Sequence, residues 1–445
     1  MINRYNLVYT LMLVAFWLYG TFGFIAEEIL PPLAPLRTAV YLLCDAIIAI
    51  TGLAVLEKRS DKLIIASFVV IALASQIVNH ESLTMLFNGG REFIGMLFAL
   101  PIARFLLTGP RGYEFQEKFD RQLFIFLVLQ AFCVTEQFLR YGANDHGGGS
   151  LGNMYSGAIS TSIYMISFYL MTRRWNESYT YARNIGRNWV LVFLLFPSML
   201  NETKVSFVYL IVYFLLLFRL NRTYILKILA MVPVLIAALA VVITLYLNAT
   251  GMSFSYALGG KALDIYLTGA ADEDQFIEFA QLSQDNPDME VDNMWVIDLP
   301  RFTKIFLLDE IVEKTGGGKL LGAGVGQFKG GTTLEPSKFA RENEWYLRGT
   351  RPMLVFLFIQ LGWLGLIWFI VSMIVDARLR THYGGYLNKN IKWFFLAVIA
   401  IFMVYIDGLR NLPLCIIMFY ILGTATCRIT QRGQSAELTE TPQTA

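Results

Sequence analysis

Long apolar stretches dominate the chain and constrain its fold more than any other feature. A helix needs about 20 mostly apolar residues to cross the hydrocarbon layer of a bilayer. About twelve stretches approach that length, and Pro197 predicts a kink in the seventh. They cover 7–27, 37–56, 62–79, 92–108, 122–139, 155–172, 188–201, 204–220, 224–247, 352–376, 391–407 and 411–427. The sequence therefore predicts an all-α integral membrane protein, a bundle of about 12 transmembrane helices.

Composition favours a membrane location over a soluble one. Apolar residues make up 56% of the 445 residues and charged residues 16%, which is too little charge to cover a soluble surface. The net charge of +2 gives no reason to expect nucleic acid as a partner. The four cysteines lie in or beside apolar stretches, without metal-ligand spacing, so we expect neither disulfides nor a metal site. The first stretch is too long for a signal-peptide core and is expected to be a retained span.

Charge in the short loops predicts the orientation of the bundle. One side collects twenty Lys and Arg and the other only five, and cytoplasmic loops are the ones that carry the excess. Both termini are therefore expected inside, with one outward loop of about a hundred residues in which 302–313 has amphipathic helical spacing. The predicted organisation is helices 1–9 in 1–247, the large loop with short helices in 248–350, helices 10–12 in 351–427, and a disordered cytoplasmic tail in 428–445.

The five outward basic residues all lie at span ends. They are Arg37, Arg91, Arg140, Lys204 and Arg410. Each could meet an anion at the membrane–water boundary, or it could snorkel or form a local ion pair. Arg91 follows Asn88–Gly90, which is interpreted as a flexible turn, and Arg410 shares a tight turn with Asp407. The sequence leaves both interpretations open.

A further basic cluster precedes the tenth span. It contains Arg341, Glu342, Glu344, Arg348 and Arg351. The arginines could clamp a diphosphate and a glutamate could act as a base. The neighbouring Trp345 and Tyr346 equally suit a membrane-interface anchor. Upstream, Gly322, Gly324 and Gly326 alternate along the chain, a pattern that lets backbone N–H groups approach a ligand but often marks only a turn.

Taken in order, these features resemble the O-antigen polymerase and ligase superfamily of bacterial envelope glycosyltransferases. Its members have about a dozen spans, a late periplasmic loop with L-x-G-x-G-x-G-x-F, and then a span with G-x-x-G. Here these motifs are Leu320–Phe328 and Gly362–Gly365, and Asn201–Lys204 resembles the family's Ser-Arg pair, with Lys in place of Arg. Ligase-like members carry a His-Asn pair about eleven residues before the first of these glycines. Arg351 stands there instead, which favours a polymerase-like member.

The resemblance implies that glycan is transferred from a polyprenyl-diphosphate carrier to an acceptor sugar hydroxyl at the periplasmic face of the inner membrane. It implies a polysaccharide polymerase without metal or cofactor, whose partners are the lipid-linked oligosaccharide and the bilayer. A requirement for a chain-length regulator protein stays open. The implied catalytic residues are Arg351, Lys204, Glu342 and Glu344; the implied diphosphate ligands are Arg91, Arg410, Arg341 and Arg348; and the loop glycines are Gly322, Gly324 and Gly326.

Three other functions compete with polymerisation. A ligase of the same superfamily would attach finished glycan to lipid or protein. A flippase or transporter without chemistry would bury charges within its spans, and few such charges exist, among them Asp45, Arg104 and Glu136. A structural role in the cell envelope is the third.

Overall fold

The structure of the protein is a computed structural model in which the described residues are helical wherever they are regular, with no β-strand. The predicted all-α fold is thereby confirmed for this part of the chain. Among the described residues, five helices are long and apolar enough to cross a membrane, by length and composition, which indicates a multi-pass membrane protein. The described residues are 4–142, 147–153, 155–200, 204–217, 301–313, 315–328, 337–347, 349–377 and 386–429.

The helices follow the apolar stretches closely. In the first part of the chain they are α1 Arg4–Phe24, α2 Arg37–Ala54, α3 Arg59–Val78, α4 Leu83–Gly90, α5 Ile94–Thr108, α6 Gly112–Tyr141, α7 Ser156–Arg173, α8 Tyr181–Arg187, α9 Trp189–Phe193, α10 Pro197–Leu200 and α11 Lys204–Leu217. After residue 300 they are α12 Arg301–Phe306, α13 Leu308–Glu313, α14 Gly318–Leu321, α15 Lys338–Glu342, α16 Glu344–Leu347, α17 Met353–Ala377, α18 Tyr386–Val404 and α19 Leu412–Thr426.

Three predicted stretches need comment. The stretch 188–201 is broken into α9 and α10 rather than kinked, because Pro197 has no N–H to donate and so begins a new helix. The amphipathic segment 302–313 is interrupted at Leu307 between α12 and α13. The stretch 224–247 and the part of the loop up to residue 300 lie outside the described residues.

Helix α5 lies at the centre of the bundle. It packs against α1, α2, α6 and α19, and nearly all of its residues from Gly95 to Leu107 are buried. Apart from Arg104, α5 is apolar on every side, and such a helix needs a central place because no apolar face suits water. Helix α17 packs against α3 and α18, and α7 packs against α6, α11, α18 and α19.

The glycine loop, residues 322–328, is built into the bundle beside α3 and α17. Gly322, Gly324 and Gly326 have φ of 69°, 102° and 104°, which L residues with side chains rarely adopt. The N–H of Ala323 donates to Ile359 O at 2.6 Å. The N–H of Val325 donates to Gln76 Oε1 at 3.0 Å, and that of Gly326 donates to Gln360 Oε1 at 2.7 Å. These donors bond to protein groups, so they are not free to cradle a ligand as the sequence pattern allowed.

The two glycine motifs meet each other directly. Gly362 has φ 59° and interrupts α17 where the glycine loop crosses it. A Cβ on Gly362 would lie 2.5 Å from Leu320 O, and a Cβ on Gly322 would lie 2.8 Å from Gly362 N. The backbones can pass at this distance only because neither residue has a side chain.

A buried ionic cluster joins α3, α5 and α17 near the ends of these helices opposite the glycine loop. Arg104 Nη1 lies 2.5 Å from Asp61 Oδ1, and Arg104 Nη2 lies 3.0 Å from Asp376 Oδ1. The three side chains are between 3% and 8% exposed. Buried charges are stable only when they are paired in this way.

Candidate functional site

A cavity of about 600 Å³ lies at one end of the bundle. Its volume is typical of small-molecule sites. The C-terminal part of α1, the N-terminal parts of α2 and α7, the turns before α5 and α17, the first residue of α12 and the connection between α18 and α19 form its walls. Its polar and charged lining residues include Tyr19, Tyr41, Asp45, Arg91, Glu92, Tyr155, Arg301, Arg351, Tyr405, Asp407, Arg410 and Asn411.

The described lining residues of this cavity are more positive than negative. Its cations are Arg91, Arg301, Arg351 and Arg410, and its anions are Asp45, Glu92 and Asp407. The lining therefore carries one excess positive charge, in a concave space that focuses its field. An anionic ligand fits this balance best.

Four of these residues form one ionic network, which we name the Asp407 network: Glu92, Arg351, Asp407 and Arg410. Arg410 donates from Nη1 to Asp407 Oδ2 at 2.6 Å and from Nε to Glu92 Oε1 at 3.0 Å. Arg351 donates from Nε to the same Asp407 Oδ2 at 2.9 Å. One carboxylate oxygen thus joins the start of α17 to the connection between α18 and α19.

Burial and charge together set the protonation of this network. Burial raises the pKa of Asp407, but Arg410 and Arg351 outweigh burial and hold it below its ordinary value. Burial lowers the pKa of Arg410, but Glu92 and Asp407 raise it further than burial lowers it. Asp407 is therefore ionised at neutral pH and suits a structural anion better than a general base.

Aromatic rings support both arginines of the network. The Arg351 guanidinium lies 4.3 Å from the ring centroid of Phe328, and that of Arg410 lies 5.3 Å from Phe356. The two rings stack with centroids 5.6 Å apart. Phe328 is the last residue of the glycine loop. The loop therefore contributes to the site by placing the ring on which Arg351 packs.

Arg91 reaches the cavity from a helix end rather than a flexible turn. The interpretation of Asn88–Gly90 as a flexible turn is wrong, because these residues form the last turn of α4. Ser82 caps the start of that helix by accepting a bond from Met85 N. A Cβ on Gly89 would lie 2.3 Å from Gly326 Cα, so the glycine loop also supports the helix that carries Arg91.

Arg301 is a lining residue that the sequence did not single out. Its guanidinium lies 4.1 Å from the ring centroid of Tyr405. Its helix is anchored because Lys304 donates from Nζ to Thr350 O at 3.1 Å and Tyr346 donates from Oη to Lys304 O. Charges in the long loop do not report orientation, and Arg301 lies apart from the basic cluster before the tenth span, so neither sequence signal points to it.

Two of the predicted site residues, Arg341 and Glu342, do not line the cavity. Arg341 and Glu342 are exposed on α15, and Glu342 pairs with Lys338 at 3.7 Å. Lys204 begins α11 and Glu344 begins α16, and the side chains of both lie outside the described part. Arg348 lies outside the described residues altogether.

Two of the outward basic residues make local ion pairs. Arg37 pairs with Glu27 and donates from Nε to Tyr41 Oη at 3.2 Å. Arg140 pairs with Glu136 and lies 3.4 Å from Glu28 Oε2. For these two residues the local ion pair accounts for the charge. Tyr41, which Arg37 orients, stacks on Tyr19 with centroids 3.9 Å apart and contributes a neutral, hydroxyl-bearing wall to the cavity.

No protein-family model and no curated protein matches the chain. Within the described part, no group of three or more His, Cys, Asp or Glu could hold a metal ion. The chemistry of the cavity is therefore argued from its own arginines, carboxylates and tyrosines.

Proposed function

We propose that the protein polymerises polyprenyl-diphosphate-linked oligosaccharide units into surface polysaccharide at the periplasmic face of the bacterial inner membrane. The observation that carries this proposal is that Arg91, Arg351 and Arg410 line a single cavity. They come from distant parts of the sequence, and each was selected as an outward or loop-end cation suited to a diphosphate. In the full proposal, about twelve helices cross the membrane, both termini are cytoplasmic and the loop 248–350 is periplasmic.

The cavity suits the transfer reaction chemically. The acceptor hydroxyl oxygen attacks the anomeric carbon, the bond from that carbon to the diphosphate oxygen breaks, and its electron pair leaves with the diphosphate. Fixed guanidiniums stabilise that growing negative charge without reorganising. Such an array of cations can take the place of a metal ion, in keeping with a metal-independent enzyme.

A carboxylate accepts the proton that the acceptor hydroxyl loses. Glu342 is exposed on α15 and is not a lining residue. Glu344 remains the candidate from sequence, and its side chain lies outside the described part. Asp45 is the lining carboxylate that does not belong to the Asp407 network.

A flippase without chemistry is the main competitor from another class. The buried cluster of Arg104, Asp61 and Asp376 is the observation that favours it, because intramembrane charges often mark transport paths. These charges are paired with one another and join three helices, which suits a structural clamp equally well. A ligase would use the same cavity with a different acceptor.

The length profile of surface glycan in a strain lacking the protein separates these functions. We expect glycan with single repeats only, and long chains restored by the wild-type protein. Long chains that stay on the lipid carrier would instead indicate a ligase. Repeat units trapped at the cytoplasmic face would indicate a flippase and would overturn the proposal.

A further inference from the structure

The Asp407 network neutralises its own charge. It contains two arginines and two carboxylates, and both arginines are held by them: Arg351 by Asp407, and Arg410 by Asp407 and Glu92. A ligand phosphate that drew either guanidinium away would leave a carboxylate with reduced compensation in a largely buried place, which is costly. The network is therefore better suited to holding the wall of the cavity than to closing on a ligand.

Arg91 and Arg301 stand in a different position. Both line the same cavity, and neither is among the residues that pair in the Asp407 network. Arg301 lies against the ring of Tyr405, a contact that orients a guanidinium without neutralising it. Within the described residues, neither arginine forms an ion pair with a carboxylate.

We infer that Arg91 and Arg301 are the residues that take the charge of the ligand's diphosphate, while Arg351 and Arg410 position the wall behind it. This inference deepens the proposed function and rests on its anionic ligand. It adds Arg301 to the predicted diphosphate ligands and gives Arg351 and Arg410 a mainly positioning role. The shared chemistry of the ligand is a diphosphate, whether carried on a prenyl chain or free.

The test measures binding by the full-length protein in lipid nanodiscs. The probes are geranylgeranyl diphosphate and inorganic pyrophosphate. Arg301→Gln and Arg91→Gln are each expected to raise the Kd about 10-fold or more, since each removes a charge-assisted hydrogen-bond donor. Their thermal midpoints should stay within about 2 °C of wild type, because neither residue compensates a carboxylate of the Asp407 network.

Three comparisons make the test specific. Arg301→Lys keeps the positive charge and should therefore bind the probes more tightly than Arg301→Gln. If Arg301 only packed on Tyr405, the two variants would bind equally weakly. Arg351→Gln and Arg410→Gln should lower the thermal midpoint as well as the affinity. Arg187→Gln, an exposed arginine of α8, is the matched control and should change neither quantity.

The outcomes separate this inference from the proposed function. Wild-type binding that Arg301→Gln and Arg91→Gln leave unchanged would overturn the inference alone. Failure of the wild type to bind either probe would overturn both the inference and the proposed function. If only the prenyl probe binds, and the two variants weaken it, the ligand is a lipid carrier; equal weakening for both probes shows that the diphosphate alone is recognised. Either of these last results supports the assignment.

Discussion

At the residue scale, a single carboxylate oxygen holds two of the arginines that line the cavity. Asp407 Oδ2 accepts a hydrogen bond from Arg351 and another from Arg410. Along the chain, all of α17 and all of α18 lie between the two arginines. Their mutual repulsion in a largely buried place is tolerable because the carboxylate lies between them and Glu92 adds a second negative charge. The carboxylate of Asp407 therefore fixes the positions of Arg351 and Arg410 in the wall of the cavity.

Asp407→Asn should destabilise the protein markedly. The amide keeps the shape of the side chain but leaves Arg351 and Arg410 with less compensation, so we expect a loss of about 2–3 kcal/mol of unfolding free energy. Thermal unfolding of the purified protein in detergent measures the loss. Glu342→Gln, on the exposed face of α15, is the control and should change stability by less than about 0.5 kcal/mol. Equal stability of Asp407→Asn and wild type would contradict the role given to the network.

The same carboxylate predicts a pH dependence. Its pKa in the folded state lies below the ordinary value of 3.8, so its contribution to stability is fully present above pH 3.8. That contribution is lost as the pH falls through the folded pKa, where the carboxylate takes up a proton. The difference in thermal midpoint between wild type and Asp407→Asn should therefore shrink below about pH 4. If the difference in thermal midpoint stayed the same below about pH 4, the negative charge of Asp407 would not be the source of its contribution to stability.

Sequence reasoning reached part of the site at this scale. Arg91 and Arg410 could be predicted because positive charge is scarce on the side predicted to face outward, and Arg351 because it lies in a basic cluster before a predicted span. Arg301 has no such signal, since a long loop carries charge of either sign. Glu342 was selected because it is close to Arg351 along the chain, but the α15 helix turns it toward solvent.

At the element scale, the kink in α17 is set by contact with the glycine loop. Gly362 has a positive φ, and its Cβ position is occupied by the backbone of Leu320 and Leu321. Ser75 of α3 fastens the same crossing by donating from Oγ to Leu321 O at 2.5 Å and to Gln360 O at 3.0 Å. The alternating glycines were visible in the sequence. The partners of their N–H groups were not, because these lie on helices about 30 and 250 residues away.

Gly362→Ala should be strongly destabilising. The methyl group would overlap the backbone of Leu320 and Leu321, and the positive φ adds strain, so we expect a loss of more than about 2 kcal/mol of unfolding free energy. Gly186→Ala is the matched control, because its Cβ position is open and it lies in α8, where alanine favours the helix. Thermal unfolding should show a lower midpoint for the first variant and an unchanged or higher one for the second. Similar midpoints for both variants would mean that the backbones at Gly362 and Leu320 can move apart to accommodate the methyl group.

The buried cluster of α3, α5 and α17 supports another prediction. Arg104→Ala should cost about 3–5 kcal/mol, because Asp61 and Asp376 then lose their shared cation in a buried place. Arg111→Ala removes an exposed arginine that pairs with Glu114 at 2.7 Å and should cost less than about 1 kcal/mol. Expression level and thermal midpoint in detergent report both effects. A stable Arg104→Ala protein that has lost transport of lipid-linked repeats would favour the flippase.

At the scale of the whole molecule, the cavity collects residues from one end of many helices. Because successive helices run in opposite directions, the end of α1 and the starts of α2, α7 and α19 meet there. Apolar length predicts the long helices, whereas the short ones such as α4 and α8 lie outside the apolar stretches. It could not predict which of them would surround α5, because that depends on side-chain packing between elements far apart in the chain.

The proposed orientation can be tested by thiol labelling. All four native cysteines are buried, so wild type should react slowly with a membrane-impermeant maleimide. Glu342→Cys should be labelled in intact cells, because α15 lies in the loop proposed to be periplasmic and the side chain is 61% exposed. Lys118→Cys, 55% exposed near the start of α6, should be labelled only after permeabilisation. Labelling of Lys118→Cys in intact cells would contradict the proposed orientation and indicate the opposite one.

The contact between Gly322 and Gly362 also bears on how such a chain can change over generations. Neither position accepts a side chain while the other backbone stays where it is, so any single substitution at either glycine destabilises the fold. Exposed apolar residues such as Val70 and Ile77 can be exchanged for other apolar residues without such a constraint. In distant relatives the two glycines should therefore persist together after the apolar sequence around them has diverged, and they would mark common ancestry where overall similarity no longer does.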